Sequence, residues 1–531
     1  MSDFSEEAMQ NYPFAEASPP SNWERVALAE IAIDVSPGFA SGKHNSDGSG
    51  VPHLRPMNVG RDGQIDLSVV KSVAESNGVE LRLDDVLFNN TNSAALIGKT
   101  AVVSRREAGF AFSNHMTRVR PESGIAPVFV ARQLHFLWMS GYMKHRCTNH
   151  VNQASISSKT LANTIPILLP PSAEQVRIVA KLEELLSDLD AGVAELKAAQ
   201  KKLAQYRQSL LKAAVEGALT AEWRTQNAPA ETGAQLLVRI LTERRARWEA
   251  KQLAKFKEQG KTPPTNWRNK YLTPVQPDTT ELSDLPEVWA WASGEQLCEF
   301  ITKGTTPPKG LDFGGQKTIP FLRVTNLTYR GELDLADEVF VSVETHQGFL
   351  ARSTVYPNDV LMNIVGPPLG QVAMVPSTFA EWNINQAIAI FRAVEGVLPW
   401  FVCRYLLSPV AQQWLKARSK TTAGQTNLTL EVCRSLPFPL PPQDEQQALL
   451  VDIEIAMNSI VSQEQAIDYA FKQSTAQRQN ILRAAFAGHL VPQDPNDEPA
   501  SELLARLRSE RLDRSSSRAD KRPRTRKDST C

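Results

Sequence analysis

The sequence predicts an α+β protein: two duplicated mixed α/β domains, each followed by a long α-helix. Three observations predict it. The order of segments in residues 20–220 recurs in 286–490. Short apolar runs broken by Gly, Asn and Asp fill the first part of each copy, the pattern of short strands and loops. Each copy then closes on a heptad-patterned stretch of about 45 residues, long enough for a rod on the order of 65–70 Å.

The duplication is explicit in the residues. Adding 271 to the residue number carries Pro170, Pro171, Glu174, Gln175, Arg207, Gln208, Leu211 and Gly217 onto Pro441, Pro442, Glu445, Gln446, Arg478, Gln479, Leu482 and Gly488. At an offset of 268, Pro52, Leu54, Arg55, Asn58, Gly63 and Asp66 fall on Pro320, Leu322, Arg323, Asn326, Gly331 and Asp334. Trp23 with Trp289, and the run at 85–87 with that at 359–361, extend the match. A period near 270 is far too long for a solenoid, so each copy is a domain plus a helix.

Composition bounds the function classes. At 531 residues the chain exceeds one hydrophobic core, and the duplication says where to divide it. Apolar content of 42% with 22% charged residues is that of a globular protein, and no run approaches the roughly 18 apolar residues of a membrane span. A cytoplasmic location is the default expectation, since the N-terminus does not resemble a signal peptide. Cysteines at 147, 298, 403, 433 and 531 lack CxxC spacing, which favours reduced thiols over a disulfide framework or a zinc site. Basic and acidic residues both number 58, so any nucleic-acid surface must be local.

In chain order, residues 1–19 are acidic and proline-marked and are expected to be flexible. The first domain occupies 20–171, with a helix expected at 129–142. A spacer helix follows at 172–220, with Leu182, Leu189, Leu196, Leu203 and Leu210 every seven residues and Ile178, Leu185, Ala199, Tyr206 and Ala213 at the other seam position. Ser172 and Gln175 have capping-box spacing at its start. Residues 221–285 hold a charged helix at 234–260 and a Pro/Thr-rich linker. The second domain is 286–442, and its spacer helix at 443–490 carries Ile453, Ile460, Ile467, Ser474 and Ile481 on the matching seam. In 491–531, residues 501–512 repeat part of the earlier charged helix, and 506–527 hold ten basic residues against three acidic ones. The two long helices can pack on each other in either sense, or against another chain.

Catalytic and cofactor motifs fail on inspection. The run SAALIGKT at 93–100 lacks the first glycine of a phosphate-cradling loop, and Gly370 in the second copy is followed by Gln371 and Val372, so the shared element is a glycine turn. The GPPL at 366–369 lacks both the polar and the aromatic residue with which a flipped base is held. His145, Cys147 and His150 have no fourth ligand nearby and no counterparts in 418–424.

The arrangement resembles the specificity subunit of type I restriction-modification systems, over about residues 20 to 512. Its carriers are Trp23 and Trp289, the Pro-x-Leu-Arg-x-x-Asn strands at 52–58 and 320–326, the Leu-Pro-Pro-x-x-Glu-Gln junctions at 169–175 and 440–446, and the helix endings at 207–217 and 478–488. The resemblance implies a non-catalytic reader of double-stranded DNA. Its two target recognition domains read the halves of a split, asymmetric site, and the two long helices form an intramolecular antiparallel coiled coil that spaces them. It further implies docking of two methylation subunits and of restriction subunits. No cofactor or metal is expected on this chain; S-adenosylmethionine, ATP and Mg belong to those partners.

Residues common to both copies cannot distinguish two different half-sites, so Arg55/Arg323 and Asn58/Asn326 are assigned to the fold or to phosphates. Base readout is expected from divergent polar loops, where Lys pairs with guanine and Asn or Gln with adenine. In the first domain these are Lys43, His44, Asn45, Asn89, Asn90, Asn92, Asn149 and Gln153; in the second, Lys303, Lys309, Lys420, Thr421, Gln425 and Asn427. A coiled-coil scaffold that binds proteins, without DNA readout, is the alternative that neutral net charge favours.

Overall fold

The computed structural model describes residues 4–45, 47–149, 153–280, 282–307, 318–422 and 424–519. It is mixed helix and sheet. Strands of the first copy are β1 (Glu24–Ala27), β2 (Ala32–Pro37), β3 (Val51–Leu54), β4 (Lys71–Val73), β5 (Val86–Asn89), β6 (Thr91–Asn92), β7 (Thr100–Val102), β8 (Ala111–Phe112), β9 (Met116–Pro121), β10 (Thr148–Asn149), β11 (Ala154–Ser155) and β12 (Pro166–Leu169). They form a four-stranded sheet β2-β9-β5-β7, two three-stranded sheets β4-β3-β8 and β10-β11-β6, and the antiparallel pair β1-β12.

The second copy repeats this plan strand for strand. It has β13 (Ala290–Ser293), β14 (Cys298–Lys303), β15 (Ile319–Leu322), β16 (Phe340–Val341), β17 (Val360–Asn363), β18 (Val365–Gly366), β19 (Val372–Met374), β20 (Asn383–Ile384), β21 (Ile388–Ala393), β22 (Lys420–Thr422), β23 (Gln425–Asn427) and β24 (Pro437–Leu440). The sheets are β14-β21-β17-β19, β16-β15-β20, β18-β23-β22 and β13-β24.

The apolar run in β5 follows from burial on both faces. Val86 and Phe88 alternate into a core built around the helix α1 (Pro127–Met139), whereas Leu87 points into a second cluster with Leu54, Ala101 and Phe112. In the second copy Val360 and Met362 face the core containing the helix α2 (Pro399–Leu407), and Leu361 faces the cluster of Leu322, Trp382 and Ile384. The apolar segment expected as one helix at 129–142 ends at Met139. Gly141, at φ +84°, turns the chain into a separate short helix, Tyr142–Arg146.

The long helices run Ser172–Val215 and Gln443–Phe486, each 44 residues, about 66 Å at the α-helical rise. Each stops just before the glycine that the duplication aligns, Gly217 or Gly488. Heptad burial is strongest toward the helix ends: Ile178, Leu182, Leu203, Leu210, Ile453, Ile460 and Ile481 are buried, while Leu189, Leu196 and Ile467 are half-buried. Ala199 and Tyr206, expected in the seam, are exposed instead, with Tyr206 at 54%. Among the described residues, no helix is long and apolar enough to cross a membrane.

Two compact units result, one from the described residues of 1–197 and 468–531, the other from those of 198–467, so each long helix contributes a stretch to both. Within the first unit Asp190 pairs with Arg478, and Arg177 pairs with Asp497 at 2.7 Å. Within the second, Arg207 pairs with Glu464 at 2.9 Å. In the first unit the partner's number falls from 497 to 478 as the residue number rises from 177 to 190. The segment expected to be a flexible N-terminus is docked over its described part: Ala8, Tyr12 and Phe14 are buried in the first core, and the Tyr142 hydroxyl donates to the Ala8 carbonyl at 2.6 Å. Apolar side chains spaced along an acidic segment escaped the compositional reading.

The helices that follow the long ones are Gly233–Glu258 and Ala500–Ala519. The first buries Leu236 and Ile240 in the second unit, and the other buries Leu503, Leu504 and Leu507 in the first. Residues 520–531, with five of the ten basic residues of the tail, lie outside the described residues.

Candidate nucleic-acid interface

The junction motifs carry the scaffold. Glu174 is fully buried and accepts from the Trp23 indole at 2.9 Å, and Glu445 accepts from Trp289 at 2.8 Å. Gln175 accepts from the Ala126 backbone and donates to Pro170, and Gln446 does the same with Leu398 and Pro441. The expected capping box at Ser172 is therefore absent. Its hydroxyl donates to the Gly124 carbonyl at 2.6 Å, and Gln175 is occupied by the domain. Asn58 accepts from the Arg55 backbone and donates to the Asp66 and Val69 carbonyls; Asn326 does the same with Arg323, Asp334 and Asp337. These asparagines hold a turn, as expected of residues common to both copies.

Four separated segments meet at one edge in each copy. In the first, the backbone N–H groups of Asn90 and Thr91 donate to the His115 carbonyl at 3.1 and 3.3 Å, Ile156 donates to Asn90 at 2.8 Å, and Asn114 donates to Phe39 at 3.1 Å. The loop after β2, the strand β6, the turn 113–115 and the β10–β11 hairpin thus meet. In the second, Ile364 donates to Ala387, Leu428 to Ile364 and Thr305 to Ile384, at 2.8, 2.9 and 3.2 Å. The hairpins β10–β11 and β22–β23 both pair with the short strand after the central one, β6 or β18.

The candidates predicted from sequence divide on this frame. Asn149 and Gln153 are exposed on the first hairpin and Asn92 is half-buried on β6; residues 150–152 of the tip lie outside the described residues. Lys43 and His44 are exposed on the loop after β2, and Asn45 anchors that loop through its amide to Ser49. In the second copy Lys420, Thr421 and Gln425 are exposed and Asn427 is half-buried, with Lys420 opposite Asn427 in register. Lys303 is exposed at the end of β14, and Lys309 lies outside the described residues.

Two candidates are corrected. Asn89 is wholly buried and donates to the Pro56 carbonyl at 2.9 Å. Asn90 is 6% exposed, donates to Asn114 and Thr117, and accepts from Thr91. Both amides maintain the edge instead of facing out from it. Asn363 occupies the place of Asn89 in the second copy and is equally buried, a duplication that marks a structural residue. Conversely, exposed Asn114 and His115, and Gln386 in the second copy, were missed. They sit in the turn that joins the segments and differ between copies; a polar pair just before the long strand β9 was their only sequence signal.

The first copy also gathers basic side chains beside the 43–45 loop. His44 Nε2 lies 3.2 Å from His53 Nδ1. Burial pushes His53 down to about 4, with His44 and Arg55 adding to the effect. His44 is lowered too, first by partial desolvation where it meets His53 and then by Arg55 and Lys71. Exposed amides and amines on a two-stranded ribbon are the groups that pair with base edges, and a ribbon of that width enters the major groove.

Residues 20–199 match the family model described as type I restriction modification DNA specificity domain. Over 375 residues the chain is 28% identical to the type I restriction enzyme EcoBI specificity subunit of Escherichia coli, covering 68% of each chain. Over 454 residues it is 27% identical to the putative MjaX specificity subunit of Methanocaldococcus jannaschii, covering 81% of this chain and 85% of that one. A solved chain from a study of complex assembly and conformational transition of the type I R-M system superposes with a TM-score of 0.61 at 17% identity, covering 89% of this chain and 99% of that one, which is a likeness of fold.

Proposed function

We propose that this chain, a homologue of the type I restriction-modification specificity subunits, is the non-catalytic DNA-reading subunit of such a complex. The observation that carries the reading is the duplicated edge. Both copies build one frame from β6 or β18, a hairpin and a turn, then place different exposed polar residues on it. A split site with unlike halves demands that combination: equal docking geometry and unequal base contacts. Residues 20–171 and 286–442 are the two target recognition domains.

The long helices, within 172–220 and 443–490, are the spacer. Within the first unit Asp190 pairs with Arg478, while Ile178, Leu182 and Leu186 share a core with Ile481, Leu482 and Ala485, an opposed numbering that supports an antiparallel intramolecular coiled coil. Two methylation subunits dock on it and restriction subunits join them, bringing S-adenosylmethionine, ATP and Mg; the complex works in the cytoplasm. The scaffold alternative rested on neutral net charge, which an edge of local polar contacts does not contradict.

The test is single-molecule sequencing of adenine methylation in a host without other methylases, expressing this chain with its neighbouring methylation subunit and omitting each in turn. A split motif dependent on both is the expected result. A soluble complex that leaves no motif would reject DNA reading.

A further inference from the structure

We propose that Arg55, with Lys71 and His44 beside it, seats one phosphate of the DNA backbone in the first copy, and that the second copy has closed the equivalent seat with an internal ion pair. This inference rests on the DNA-reading role proposed above and says where one sequence-independent contact of that role is made.

The two positions are structurally equivalent. Val51 pairs with Val73 as Ile319 pairs with Val341, and Asn58 donates to the Val69 carbonyl as Asn326 donates to that of Asp337. Arg323 therefore stands where Arg55 stands, and Asp337 where Val69 stands. In the second copy Arg323 Nη2 lies 2.6 Å from Asp337 Oδ2. In the first copy the acid is missing. Among the described residues Arg55 makes no ion pair; its Nε is buried without a hydrogen-bond partner, as is that of Arg323, but its Nη2, which in Arg323 meets Asp337, is also left without one.

Neighbouring positions differ in the same sense. His53, 1% exposed and with an unpartnered Nε2, pairs across the strands with Lys71; at the equivalent place Phe321 N donates to Val339 O. His44 reaches the cluster from the candidate loop, at 3.2 Å from His53. A cation, a half-buried lysine and two imidazoles are thus gathered with no ion pair among the described residues in one copy, against a neutralised arginine and apolar neighbours in the other. Buried guanidinium N–H groups without acceptors are costly, and an incoming phosphate oxygen supplies the acceptor and the charge. A phosphate fits better than a base: an arginine present in both copies cannot distinguish two half-sites, whereas backbone contacts position without specifying.

The discriminating variant is Val69→Asp, which restores the second copy's acid beside Arg55. Val69 is 51% exposed, so the change does not enter a core. The full chain, assembled with its methylation subunits, is titrated with a duplex carrying the methylated motif over a series of salt concentrations. The expected result is several-fold weaker binding at low salt and a slope of log K against log salt reduced by about one, the signature of one lost phosphate contact. Arg55→Ala should reproduce the reduced slope, and Arg55→Lys should largely retain it. A wild-type slope in Val69→Asp would overturn the seat and leave DNA reading standing, whereas a wild-type complex that binds no duplex would overturn both.

Discussion

Asp85 and Asp359 precede the central strand of each copy, and each grips an arginine of the neighbouring strand through both carboxylate oxygens: Arg120 at 2.7 and 2.7 Å, Arg392 at 2.7 and 2.6 Å. The aspartates are 1–2% exposed. Asp85→Ala strands a guanidinium in the domain and should cost about 3–5 kcal/mol, read by urea unfolding. A second residue-scale prediction concerns pH. His135 is buried, accepts from the Thr100 N–H at Nδ1, and lies against the Arg61 carbonyl through Nε2, so burial pushes it down to about 4. Between pH 6.5 and 4 the unfolded chain binds the proton and the folded one does not, so stability falls as pH falls across that window, by up to about 3 kcal/mol. His135→Leu, the residue type at 407 in the second copy, should flatten that part of the pH profile; an unchanged acid limb in a thermal-melt series would refute the assignment. Of these residues the Asp85 and Asp359 repeat was visible in the sequence. The roles of Asn89 and Asn90 were not, because an Asn-rich run reads as polar loop until its neighbours are known to bury it.

At the scale of elements, the long helices were legible from periodicity, since burying one stripe imposes a repeat on the sequence. Their partners were less so. Phe486 packs its ring against Phe129 and Phe136 at 5.5 and 5.7 Å, so the end of the second long helix completes the first domain's core. Phe486→Ala should cost about 3–5 kcal/mol and lower the first unit's thermal midpoint. The helices also offer a spacing test. Removing matched heptads from both shortens them by about 10 Å, or about three base pairs of duplex. The methylated motif should then carry a shorter gap between unchanged halves, and retention of the original gap would refute the ruler.

At the scale of the whole molecule, the proposed DNA reading divides specificity between two copies of one frame. Substituting Lys420 and Gln425 together by Ala should weaken DNA binding and relax the motif in one half only, by about 1–3 kcal/mol per lost bidentate contact, as the methylome would show. Relaxation of both halves would mean that these residues act on the fold. The sequence by itself determined the duplication, the mixed domains, the long helices and the family resemblance, because repeated motifs and heptads are local constraints written in residue order. Only the tertiary structure decided which polar residues face outward. Exposure at the edge depends on hydrogen bonds such as Asn90 to His115 and Leu428 to Ile364, which join segments far apart in the chain. It likewise decided that Arg55 lacks the acid that Arg323 has, since a charge is neutralised by what folds beside it and not by what precedes it in sequence.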